Sequence, residues 1–251
     1  MTRSAGWVPV SVLAPLAALV VAATLLVSPP AHGVDAERAS APKTVIGVSN
    51  EVNSVVYRIH PRSGKSAALG TSGTQLSDVA FRGKTLYGIA FSALYTLDTT
   101  TGAGHVVGSF GVVANANALT VRPSDRALIG ADLGGELFTI DHKTGLATII
   151  GTFGHRLISA GDLAFVGKHL YATVNKPSST ATLLARVNVR TAKATVVGKT
   201  GFHNVYGLIA SKGRLYGGTA SGQMLTLSKK TGRAHLLSKT HLPISGLTKS
   251  G

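Results

Sequence analysis

Leu94 to Gly108 reads LYTLDTTTGAGHVVG: an apolar alternation, a polar turn closed by glycine, and a second alternation. A β-hairpin is written this way, because side chains two apart share a face and Gly supplies the left-handed backbone of a tight turn. The same pattern returns as LFTIDHKTGLATIIG from Leu137 and LARVNVRTAKATVVG from Leu184, with weaker copies at Val56 and Met224. Aligned on the turn, Gly64, Gly102, Gly145, Ala192 and Gly232 lie 38, 43, 47 and 40 residues apart. Spacings of that size belong to a repeat architecture.

Outward from the hairpin, two shorter alternations precede each copy: DVAFRGKTLYGIA from Asp78, ALTVRPSDRALIGA from Ala118, DLAFVGKHLYATV from Asp162 and GLIASKGRLYGGT from Gly207. Four strands per repeat, joined by tight polar turns, make the unit of a β-propeller blade. The first repeat lacks its innermost strand, since Lys43 leads directly into TVIGVS, and the ISGLT segment of Ile244 to Thr248 supplies one. The expectation is an all-β, five-bladed β-propeller of four-stranded antiparallel blades over residues 44–251. Its ring closes when the C-terminal strand joins the N-terminal blade, leaving no sheet edge at the seam.

Residues 1–33 carry one cation, Arg3, an apolar run from Trp7 to Val27, and small residues ending Ala31-His32-Gly33. That grammar is a signal peptide's, and it predicts export to a secreted or cell-envelope location. An uncleaved anchor is the alternative, because the run is about long enough to span a bilayer. Residues 34–43, VDAERASAPK, read as a flexible leader. No cysteine occurs, which excludes disulfides, thiolate metal sites and a cysteine nucleophile.

The inner strand, the LYG strand and the L-x-x-I-D-x-x-T-G hairpin together resemble bacterial exported propellers of the YVTN, NHL and quinoprotein-like classes, across Thr44 to Thr248. The resemblance implies the fold and leaves activity open, since propellers scaffold unrelated functions. Quinoprotein dehydrogenases also carry a Trp at the end of the hairpin repeat, where this chain has Val107, Ile150, Val197 and Leu237. A quinone cofactor is therefore set aside.

Strands that alternate in direction from the central channel outward put the Thr-Gly turns and the short turns at Gly83, Ser124, Gly167 and Gly213 on one face. The longer loops between blades fall on the other, where sites are usually built. Asp78 and Asp162 share one register just before the inner strand and point towards the channel mouth, with Asn117 one position earlier in its blade. Bonding to a neighbouring blade's backbone is the structural role expected of them. His155, His203 and His241 follow the fourth strands of three successive blades; with Asp162 they make a candidate site for a divalent metal ion. No cofactor is otherwise implied. There is no nucleophile elbow and no P-loop, so a hydrolase or lyase at the channel mouth, using Asp78, Asp162 and the His loops, stands as the alternative to a binding protein.

Charge is the remaining signal. Residues 34–142 hold nine Lys or Arg against nine Asp or Glu, whereas residues 143–251 hold fifteen against one, Asp162. Arg190, Lys193, Lys212, Arg214, Lys229, Lys230 and Arg233 fall in or beside the short turns of the last two blades, with no acid after Asp162 to neutralise them. Such a patch without interleaved aromatics suits a charged polymer more than stacked bases. The expectation is an exported, monomeric scaffold that binds an anionic cell-envelope polymer or a protein partner; nucleic acid is not expected in that setting.

Overall fold

A computed structural model describes residues 1–2 and 40–250. Residues 3–33 of the expected signal peptide and 34–39 of the expected leader lie outside the described residues. The chain divides into two compact units, 1–31 and 32–251, and the described residues of the second form twenty strands.

They form five four-stranded antiparallel sheets. Blade 1 holds β1 (Val45–Val48), β2 (Val55–Ile59) and β3 (Ser66–Thr71); blade 2 holds β4 (Asp78–Arg82), β5 (Thr85–Ala90), β6 (Ala93–Leu97) and β7 (Gly104–Ser109). Blade 3 runs β8 (Ala116–Val121), β9 (Leu128–Asp132), β10 (Glu136–Ile140) and β11 (Ala147–Thr152). Blade 4 runs β12 (Ile158–Val166), β13 (His169–Asn175), β14 (Ala181–Val187) and β15 (Ala194–His203). Blade 5 runs β16 (Val205–Ser211), β17 (Arg214–Thr219), β18 (Gln223–Leu227) and β19 (Ala234–Lys239), and β20 (Gly246–Lys249) ends the chain. Inner strands β4, β8, β12, β16 and β20 touch in cyclic order, β20 returning to β4, so the ring is closed.

Closure occurs where the sequence places it. β20 pairs with β1 in the register Val48↔Gly246 to Val45↔Lys249, and the Ser245 hydroxyl donates to the Val48 carbonyl at 3.0 Å. This strand begins at Gly246 rather than Ile244, because Ile244 turns into the core between blades 5 and 1. Five apolar clusters fill the five interfaces between adjacent blades. Period-two alternation builds them: Val45 packs towards blade 5 and its neighbour Ile46 towards blade 2.

The repeated hairpin also explains the blade spacing. Asp98 Oδ1 accepts the Thr100 and Thr101 N–H groups at 2.8 and 2.7 Å, and Gly102 closes the turn at φ 75°. Asp141 repeats this with Lys143 and Thr144, and Asn188 with Arg190 and Thr191. Ala192, standing where the other copies have Gly, is held at φ 60°. A second glycine, in the outer strands of blades 1 to 4, lets the next blade's turn approach. A Cβ on Gly108 would strike the Thr144 carbonyl, and one on Gly70 or Gly198 would strike the carbonyl of Thr101 or Thr231. At the seam Ser238 stands in this position, and its hydroxyl donates to the Pro61 carbonyl of blade 1 at 2.6 Å.

Candidate functional site

Inside the channel, Asp78 and Asp162 are fully buried and face each other. Asp78 accepts the Val79 N–H on Oδ1 at 2.7 Å and the Leu119 N–H on Oδ2 at 2.6 Å. Asp162 accepts the Leu163 N–H on Oδ1 at 2.6 Å, the Leu208 N–H on Oδ2 at 2.5 Å, and the Leu247 N–H. Those five donors occupy one register, one on each inner strand. A ring of inward N–H groups would be an unsatisfied nest, and two carboxyl groups from blades 2 and 4 satisfy it. Gly207 and Gly246 occupy the Asp register in blades 5 and 1; a Cβ at Gly246 would collide with Asp78.

Burial is the first cause that raises both carboxyls above the ordinary Asp value, and the Asp162 charge adds to it at Asp78. The backbone donors oppose the rise at both. Two carboxyl groups so placed do not both ionise readily, and this coupling adds to the rise at Asp78. The pair thus lies inside the channel, below the mouth, and fastens all five blades. Of the three channel residues named from sequence, Asn117 alone lines the mouth.

The histidine loops do not assemble with it. His155, His203 and His241 are exposed, and among the described residues no group of three His, Asp or Glu side chains is placed to hold a metal ion. His155 and His241 take left-handed backbone at φ 53° and 61° as loop residues, and His203 Nδ1 pairs with the Thr180 hydroxyl at 3.0 Å. Asp162 spends its oxygens on backbone donors instead.

The cationic residues do assemble, in part. A groove of about 680 Å³ lies on the short-turn face across blades 4 and 5, lined by Lys168, Arg186, Lys193, Lys229 and Lys230 around His169. Tyr171, Val187 and Val197 also line it. The five cationic side chains are exposed. Arg190, Lys212, Arg214 and Arg233 belong to the same blades but do not line the groove. Lys168, His169 and Arg186 were not among the residues expected from sequence. The signal existed, since Lys168 follows the short turn at Gly167, but strand position alone does not show that Arg186 lines one groove with the turn of the next blade.

Electrostatics inside the groove are one-sided. His169 is held below the ordinary imidazole value, first by burial and then by Arg186, Lys168 and Lys229. Arg186 Nη2 lies 2.8 Å from His169 Nδ1. A guanidinium only donates, so Nδ1 accepts and the imidazole is neutral. The charge-balanced half of the chain contrasts with this: there Arg122 is paired with Asp125 at 2.7 Å.

No protein-family model matches the chain. A search of curated proteins returns no match. Among solved structures, a chain from a crystal structure of a nidogen/laminin complex is similar with a TM-score of 0.55 at 11% identity, over 81% of this chain and 84% of that one. At that identity the likeness shows the propeller fold alone.

Proposed function

We propose that this propeller is an exported binding scaffold whose blade 4–blade 5 groove holds an anionic polymer of the cell envelope. The observation that carries the reading is the groove itself: Lys168, Arg186, Lys193, Lys229 and Lys230 around one cavity, in a stretch where residues 163–251 contain no acid. Uncompensated like charges weaken a compact state unless a counter-charge arrives. A polyanion supplies one, and its repeating charges match five cations spread over two blades. The apolar N-terminal run supports export, and with it access to envelope polymers.

An acidic protein surface is the second reading, supported by the occurrence of a similar propeller chain in a solved nidogen/laminin complex. The two differ in what competes. Retention on heparin or isolated anionic cell-wall polymer should be strong at low salt and fall steeply once ionic strength passes about 0.15 M, where the Debye length is about 8 Å. Exchanging Lys168, Lys229 and Lys230 for Glu should abolish it while the domain stays folded. Passage of the wild-type protein through both columns unretained at low salt refutes the polymer reading.

A further inference from the structure

The opposite end of the channel holds a second site, independent of the cationic groove. A cavity of about 220 Å³ opens there on the long-loop face and draws residues from all five blades. Ser77, Asn117 and Ser245 are buried in it, while Phe91 and Tyr206 line it as partly exposed aromatic residues. Among the described residues no Lys, Arg, His, Asp or Glu lines it.

Its polar groups are incompletely used. Ser77 Oγ lies 3.1 Å from the Ile89 carbonyl and 2.9 Å from the Ala116 carbonyl. Ser245 Oγ likewise sits between the Val48 and Leu76 carbonyls at 3.0 and 3.5 Å. Each hydroxyl has one proton for two carbonyls and keeps lone pairs with which to accept. The Asn117 amide donates to the Ser159 carbonyl at 3.2 Å. Among the described residues its Oδ1 has no hydrogen-bond partner, although Asn117 is only 6% exposed.

We propose that this channel mouth binds a single neutral, hydroxyl-bearing ring, a monosaccharide unit. Hydroxyls both donate and accept, which suits the Ser77 and Ser245 hydroxyls and the Asn117 amide that line the cavity. Phe91 and Tyr206 add aromatic lining that suits the C–H surface of such a ring, and the lining residues carry no charge that would attract an anion or a cation. At roughly 30 Å³ per water, the cavity equals about seven waters, the size of one ring rather than a chain.

The test is saturation-transfer NMR on the full chain with glucose, galactose, mannose and N-acetylglucosamine, each alone, with acetate and tetramethylammonium as charged probes. At least one sugar should bind with a Kd on the order of 1 mM, as befits about a dozen non-hydrogen atoms. Tyr206→Ala and Phe91→Ala should each weaken it about tenfold, with the near-UV circular dichroism confirming the fold. The Lys168, Lys229 and Lys230 to Glu variant should leave it unchanged, which separates this site from the groove. No transfer from any sugar, transfer only from a charged probe, or sugar binding that survives both aromatic substitutions overturns the proposal.

Discussion

Replacing Asp162 with Ala should destabilise the whole ring, and the structure sets the magnitude. The carboxylate is fully buried and accepts N–H groups from Leu163, Leu208 and Leu247. These belong to blades 4, 5 and 1. Truncation strands three buried donors at about 1–3 kcal/mol each, while relief of the crowding with Asp78 and entry of water give some of that back. A net loss of about 3–6 kcal/mol follows. Urea unfolding read by linear extrapolation should show it as a lower midpoint with an unchanged slope. Asp141→Ala is the control: its carboxylate also accepts two N–H groups, but in an exposed turn where water replaces it, so the cost should be much smaller. If Asp162→Ala costs no more than Asp141→Ala, the pair is not what fastens the blades.

Deleting residues 244–251 removes β20 together with buried Ile244 and Leu247. The cost should be about 5 kcal/mol or more, comparable with a domain's entire stability, and an unchanged melting temperature would disprove ring closure. Gly108→Ala drives a methyl group onto the Thr144 carbonyl and should cost about 1–3 kcal/mol by overpacking; a neutral result in thermal melts would contradict the blade spacing. The buried Asp pair also gives stability a pH signature. Its folded-state values are raised, so its contribution is complete below the unfolded Asp value near 3.9 and is lost as pH rises through the folded values. Asp125 runs the other way: held down to about 2 by Arg122, it contributes above its unfolded value and loses that contribution as pH falls. The stability difference between wild type and Asp162→Asn, measured in urea from pH 4 upward, should therefore shrink as pH rises; a difference that grows would reverse the assignment.

Local chemistry made the fold legible. Asp98 followed by Thr-Thr-Thr-Gly102 states a turn through backbone rules that act within five residues, and five such statements at propeller spacing leave little freedom. The outer-strand glycines were visible in the repeat too, but the need for them lies in the next blade, at Thr101, Thr144 and Thr231. The shared register of Asp78 and Asp162 was legible for the same reason as the turns. Their depth was not, because sequence register fixes which way a strand faces and not how tightly five strands converge. That convergence makes the pair a plug and leaves Asn117 at the mouth. The basic half of the chain was plain in its composition, whereas the gathering of Lys168 and Arg186 with Lys229 and Lys230 depends on how blade 4 meets blade 5. The four candidate metal ligands failed to gather for that reason as well: loops equivalent in sequence diverge around a ring, and Asp162 faces the axis.

The central functional claim is that the groove takes up negative charge, and His169 reports on it from within. Its imidazole is held low in part by Arg186, Lys168 and Lys229, so an anion seated among those cations should raise its pKa. The direct measurement is an NMR pH titration of the His169 ring protons in the full chain, without and with a heparin oligosaccharide at low salt. The account predicts that the His169 pKa rises on addition of the polyanion and returns to its starting value in high salt. A His169 titration unmoved by saturating polyanion, while another histidine shifts instead, would contradict it.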